Sequence, residues 1–141
     1  MNNFDLEDFL PYLLNRAAEQ SSYGFQQIYK NHYGMLRMEW RVLFHLGRYG
    51  DMTARDICDR GGLHKTKVSR AVSALHKKRF VARKRQEEDR RSEMLSLTSK
   101  GKSVYRDLEK RAAEFHDTMT SGFTEKENRA LISLLKRLAS S

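Results

Sequence analysis

The 141-residue chain carries 27 Lys and Arg against 18 Asp and Glu, a formal net charge of +9, with a sequence pI near 9.8. That length allows one domain or one compact two-lobed unit, and the charge points to a polyanionic partner without choosing among DNA, RNA and an acidic membrane. The single cysteine, Cys58, excludes an intrachain disulfide and fits a reducing cytoplasm; the acidic start MNNFDLEDFL lacks the basic region of a signal peptide, and no run of about 18 apolar residues exists to span a membrane.

Taken in chain order, Asp8 is placed to cap a first helix that holds Pro11 in its first turn and runs to about Tyr33, where Gly34 stops it. Leu10, Leu13, Leu14, Ala17, Ser21, Phe25 and Ile28 follow its helical spacing. The helix is more apolar than one packing face needs, which predicts contact with a second subunit. A second helix covers about Met38 to Tyr49, with Trp40, Leu43, Phe44 and Leu46 inward and Gly50 at its end. Thr53 caps a short third helix with Ala54, Ile57 and Cys58 inward, and Gly61-Gly62 makes a tight turn.

The fourth helix, about Lys65 to Lys78, places Val68, Ala71, Val72 and Leu75 at i, i+3, i+4 and i+7, one buried stripe. Lys65, Thr66, Lys67, Ser69, Arg70 and Ser73 are left on its outer face. Two short strands follow, residues 81–85 and 94–97, joined by the loop QEEDRRSE. Thr98 then caps a fifth helix reaching about Thr120, with Val104, Leu108, Ala112, Phe115 and Met119 on one stripe. The Thr124–Glu127 capping box opens a last helix with Leu131, Leu134, Leu135 and Leu138 along one face.

Two helices joined by a Gly-containing turn, the second basic on its outer face, make a helix-turn-helix, and the hairpin beside it is a wing. The expected fold is mainly α with a small β-hairpin wing, in the order α-α-α-α-β-β-α-α. Residues 36–98 are read as a winged helix-turn-helix DNA-binding domain, and residues 1–35 with 99–141 as dimerisation helices. Between Lys65 and Arg91 there are eleven Lys and Arg against three acids, a local net charge of +8, so nearly all the excess charge sits in one helix-plus-hairpin unit.

The wing sequence Asp89-Arg90-Arg91-Ser92-Glu93-Met94-Leu95-Ser96-Leu97-Thr98, followed by Gly101, resembles the D-x-R…L-T pattern of the MarR family of bacterial transcriptional regulators. The WRVL of residues 40–43, the KVSRAV of 67–72 and the TEKE…LISLLKRL of the last helix are similar to the same family. The resemblance spans nearly the whole chain. It implies a homodimer on a near-palindromic duplex, a recognition helix in the major groove, a wing at the flanking minor groove, and release by a small aromatic or phenolic ligand or by cysteine oxidation. Three residues depart from the pattern. Arg37 stands where a Ser or Thr usually opens the second helix, so its start is expected to fray. His64 replaces a capping residue; imidazole caps poorly, so His64 is expected to face phosphate. Arg79 replaces a glycine, and a left-handed backbone there would cost on the order of 1 kcal/mol.

The major-groove candidates are therefore His64, Lys65, Thr66, Lys67, Ser69, Arg70 and Ser73. Arg can grip guanine O6 and N7 together, Ser and Thr can donate or accept, and Lys suits phosphate; which of them touch base edges stays open. The wing candidates are Arg83, Arg85, Asp89, Arg90 and Arg91: one of Arg90 and Arg91 is expected to enter a narrow A·T minor groove, and the family resemblance implies Arg91 for that place and Asp89 as brace of the loop. Lys77, Lys78, Arg79, Arg83, Lys84 and Arg85 are expected to follow phosphates or stay solvated. Arg16, Tyr33, Trp40, Arg41 and His45 are effector-pocket candidates, an Arg for a carboxylate and aromatics for a ring, although helix packing and surface charge explain the same residue types.

Cys58 faces inward beside Ile57, more the place of a core thiol than of a peroxide sensor. The five histidines, 32, 45, 64, 76 and 116, show neither i,i+3 nor i,i+4 pairing, so no metal site is expected, and no cofactor motif occurs. No G-x-S-x-G, phosphate loop or metal set supports an enzyme. The leading reading is a dimeric, cytoplasmic, sequence-specific regulator of transcription, a repressor released by ligand. The competing readings are a non-specific or architectural nucleic-acid binder without effector, and a redox-sensing regulator acting through Cys58.

Overall fold

In the computed structural model, which describes residues 3–88 and 92–140, a 3-10 turn (Leu6–Asp8) leads into α1 (Leu10–Tyr33) and α2 (Arg37–Tyr49). There follow β1 (Met52–Thr53), α3 (Ala54–Gly61), α4 (Lys65–Lys77), β2 (Val81–Arg85), β3 (Glu93–Leu97), α5 (Ser99–Met119) and α6 (Glu125–Ala139). The mainly helical fold with a hairpin wing is the expected one. The sheet has one strand more than expected: β1 pairs antiparallel with β3, Met52 opposite Leu95 and Thr53 opposite Met94, giving the order β1-β3-β2. Two residues are too few to show the alternation by which a strand is read from sequence.

Local chemistry explains most boundaries. Thr53 Oγ1 accepts from the Asp56 N–H and the Asp56 carboxylate accepts from the Thr53 N–H, a reciprocal cap that opens α3. The Thr124–Glu127 box opens α6 in the same way. Gly34 and Gly62 sit at φ 62° and 60°, the left-handed conformation that ends a helix. Two expectations fail at helix starts. Asp8 does not cap α1: it lies in the 3-10 turn, whose own cap is Asp5, and Phe9 takes the α1 cap position without a side-chain bond. Nor is the start of α2 left to fray behind Arg37, because Glu39 in its first turn accepts from the Leu36 N–H at 3.2 Å.

The core joins α2, α3, α4 and the sheet to the first half of α5. Met35, Leu43, Ile57, Leu75, Leu95 and Leu108 are its largest fully buried side chains. The stripe Val68, Ala71, Val72 and Leu75 is buried as its spacing predicts. In α2 the inward face is Val42, Leu43 and Leu46. Trp40 and Phe44 lie to one side, half-buried in a run of rings from Phe25 through Trp40 and Phe44 to Tyr105, with centroids 5.0–5.3 Å apart. The apolar residues at the start of α1 and along α6 stay uncovered: Leu10 is 58% exposed and Leu134 53%.

The tightest joint lies where α4 meets the wing. Phe80 N–H donates to the Leu75 carbonyl and Arg79 N–H to the His76 carbonyl, the double bond of a Schellman cap. Arg79 sits at φ 67°, so the cost anticipated from its sequence position is incurred. The Arg79 carbonyl accepts from the Thr98 hydroxyl at 2.6 Å, and that hydroxyl accepts from the Gly101 N–H to cap α5. The Phe80 carbonyl accepts from the Thr98 N–H and lies so close to α5 that a Cβ on Gly101 would fall 1.9 Å from its oxygen.

Two consequences are measurable by thermal or urea unfolding. Gly101→Ala is expected to destabilise by about 3 kcal/mol or more, since the clashing atom is backbone and cannot rotate away. Arg79→Gly is expected to stabilise by about 1 kcal/mol, because glycine adopts the left-handed conformation without the Cβ penalty and every backbone bond at the joint is kept.

Candidate nucleic-acid interface

With one stripe of α4 sealed in the core, the opposite face is fixed by helical geometry alone. His64, Lys65, Thr66, Lys67, Ser69, Arg70 and Ser73 are all exposed. None of Lys65, Lys67 and Arg70 forms an ion pair among the described residues. The first turn of α4 contains no acidic residue. His64 does cap this helix: its Nδ1 accepts from the Thr66 N–H at 3.3 Å, a long bond, so the ring is held against the helix end rather than turned away from it.

The hairpin stands beside this face. Arg83 lies opposite Leu95 and Arg85 opposite Glu93, so both arginines share the face that carries the buried Val81 and Leu95. Lys84 points to the other face with Ala82. Arg83 differs from the expectation of a free cation: its Nε donates to Glu93 at 2.7 Å across the ladder. Arg85 is exposed. The wing-tip candidates Asp89, Arg90 and Arg91 lie outside the described residues.

Lys78 is the second basic residue whose partner differs from expectation. Instead of following phosphate or remaining solvated, its Nζ lies 2.5 Å from the carboxylate of Glu39, which is 3% exposed. Sequence reading missed Glu39, because a Glu in EWRVLF looks like a solvated position between apolar ones. Its place three residues after Leu36 was the available signal.

The effector candidates are not brought together in one chain. Arg16 and Tyr33 are about 25 Å apart along α1. Among the described residues the Arg16 guanidinium donates to the Tyr12 hydroxyl alone, at 3.5 Å. Tyr33 donates its hydroxyl to Asp107, which also accepts from Arg111 Nε at 2.9 Å. Burial, and then the adjoining carboxylate, push the Tyr33 phenol up to about 12, while the same hydrogen bonds from Tyr33 and Arg111 hold Asp107 below the usual carboxylate range. Trp40 belongs to the aromatic run. His45 Nδ1 lies 2.6 Å from the Arg41 carbonyl oxygen, and its ring meets Tyr49 at 6.1 Å.

Arg41 is half-buried, and no acid pairs with it among the described residues; burial, then repulsion from Arg37, lowers its pKa. A groove opens between α1 and α5, but it is lined by Ile28, Arg111, Glu114, Phe115 and Thr118. Cys58 is half-buried, as its inward position implies. Among the described residues no group of three His, Cys, Asp or Glu could hold a metal ion, and no helix is long and apolar enough to cross a membrane.

Comparison with known proteins agrees with this architecture. A model of the MarR family matches residues 33–92, from the end of α1 into the wing. The HTH-type transcriptional regulator YwaE of Bacillus subtilis is 26% identical over 129 residues, covering 89% of this chain and 74% of its own. A MarR/EmrR family transcriptional regulator from Acinetobacter sp. ADP1 superposes with a TM-score of 0.85 at 27% identity, over 97% of this chain and 96% of that one. BpsR of Bordetella bronchiseptica, whose DNA binding is regulated by 6-hydroxynicotinic acid, shares the fold at a TM-score of 0.90 and 19% identity, over 99% of each chain. Over residues 33–92 by sequence, and over nearly the whole chain by fold, this protein is thus similar to the MarR-family transcriptional regulators.

Proposed function

We propose that this protein is a homodimeric repressor that reads a near-palindromic operator and is released by a small aromatic acid. The observation that carries the DNA reading is the amino end of α4. A helix N-terminus favours negative charge, yet this one bears Lys65 and Lys67, no acid in its first turn and only a long imidazole cap. The helix carries that electrostatic cost in isolation, and a phosphate placed there would relieve it. Lys65 and Lys67 then position the helix on the backbone, Ser69 and Arg70 reach base edges, and Thr66, Ser73 and His64 flank them. The wing, through Arg85, Arg90 and Arg91, takes the adjacent minor groove, with Asp89 as its brace.

The dimer reading rests on uncovered apolar surface. Phe4, Leu6, Phe9, Leu10, Leu13 and Leu14 at one end of the chain are exposed, as are Leu131, Ile132, Leu134, Leu135 and Leu138 at the other. Contiguous apolar area of this kind marks an interface. A second copy of the chain is the partner that also gives the two symmetric recognition helices a palindrome requires. Residues 1–35 and 99–141 would form that dimerisation lobe, and 36–98 the DNA-binding domain.

The ligand reading is supported by Arg41, a half-buried guanidinium without an acidic partner among the described residues, next to Trp40 in sequence and bonded through its carbonyl to His45. An aromatic carboxylate would supply the missing charge, and Arg16 could join such a site only from the second subunit. Regulation of BpsR by 6-hydroxynicotinic acid is a precedent of the same chemical class. The ligand must bind one dimer geometry better than the other to release DNA.

Selecting duplexes from random sequence with the purified protein, then titrating variants across salt, tests the DNA reading. Arg70→Ala is expected to cost about 1–3 kcal/mol and to relax preference at one base position, while Lys67→Ala weakens all duplexes alike and lowers the salt slope by about one. Unchanged affinity and slope in Arg91→Ala would remove the wing role. In sedimentation velocity the wild type is expected to run as a dimer and Leu135→Glu as a monomer with weakened operator binding. A wild-type monomer at micromolar concentration would overturn the dimer reading.

A further inference from the structure

Glu39 is the one buried charged side chain among the described residues. One carboxylate oxygen accepts from Lys78 Nζ at 2.5 Å and the other from the Leu36 N–H at 3.2 Å. Such a pair is poor value as plain stabilisation, because desolvation offsets most of its attraction and an apolar pair of similar size would hold two helices as well. What it adds is direction. Glu39 lies in the first turn of α2, where the helix dipole favours an anion, and Lys78 is the carboxyl-terminal cap residue of α4, where it favours a cation.

The pair therefore closes only when the start of α2 faces the end of α4. The apolar contact between these helices would accept small rolls and slides that leave the same atoms buried. A second contact pins the same end, the edge of one ring against the face of the other where Phe80 meets Tyr33 at 6.3 Å.

We infer that Glu39 and Lys78 are positioning residues for DNA recognition: they set the angle at which α4 is offered to the groove, and Lys78 is not a phosphate ligand. The inference rests on the DNA-binding reading above. A neutral pair held in this way releases no counterion when the protein meets DNA, so its loss should alter discrimination between sequences and leave the electrostatic share of binding as it was.

The experiment compares affinity for a duplex selected by the wild-type protein with affinity for a scrambled duplex of the same composition, across a range of salt. Partial unfolding lowers both affinities in proportion, so their ratio reports helix presentation and not folded fraction. Lys78→Met and Glu39→Gln are expected to lower the ratio about tenfold with the salt slope unchanged, and Lys78→Arg to stay within about threefold of wild type. The double variant E39Q/K78M, which leaves no lone buried charge, is expected to lose no more than either single change, and it serves if Lys78→Met fails to fold. A salt slope reduced by about one in Lys78→Met, with the ratio kept, would make Lys78 a phosphate ligand and overturn the inference. Unchanged ratio and slope would overturn it equally. Failure of the wild type to select any duplex would instead reject the DNA-binding reading itself.

Discussion

The contact between Gly101 and the Phe80 carbonyl is the constraint from which the geometry of this protein follows. No side chain fits at that crossing, so α5 can approach the wing root closely enough for Thr98 to bond both Arg79 and Phe80. The end of α4, the residue that leads into the hairpin and the start of α5 are thereby held against one another. Farther along, α5 takes two more seats of the same kind. Its Tyr105 ring lies where a Cβ on Gly47 of α2 would stand, and its Phe115 ring where one on Gly24 of α1 would stand. A helix seated in three glycine notches has little freedom to shift along its axis, and it joins the half of the chain that carries the basic helix and hairpin to the half that carries uncovered leucines.

Charge is distributed with the same economy. The basic helix-plus-hairpin unit is not uniformly free to meet a polyanion, because Lys78 and Arg83 are spent on Glu39 and Glu93. Among the described residues, the α4 lysines and arginines without an ion pair are Lys65, Lys67 and Arg70 in its first two turns and Lys77 at its end. A block of like charge that looks continuous in one dimension thus separates into cations that hold the fold and cations that face outward. Arg111 is another of the first kind, joining Asp107 and Tyr33 where α5 passes the end of α1.

The elements that were legible in the sequence are those whose signals are local and periodic. The buried stripe of α4, the capping residues Thr53, Thr98 and Thr124, the glycine stops at 34 and 62 and the left-handed Arg79 all depend on neighbours within four residues. What was not legible depends on contacts between distant segments. Strand β1 exists only because Leu95 lies opposite Met52, and Glu39 is buried only because Lys78 arrives from the far end of another helix. The scatter of Arg16, Tyr33, Trp40, Arg41 and His45 has the same origin: residue type suggested a pocket, but helix length and direction decide which of them can meet. The exposed face of α4 was readable because one buried stripe fixes the rest of a helix.

Trp40 is the only tryptophan in the chain, and it sits among Phe25, Tyr29 and Phe44 at the meeting of α1 and α2, with Tyr105 of α5 one ring farther on. Its indole is half-buried, and its neighbours come from both halves of the molecule. Tryptophan fluorescence in this protein therefore has a single source, located at the joint between α2 and the long α1, with Tyr29 within range to pass excitation to it. The fold contains its own optical gauge of how those two parts are set against each other.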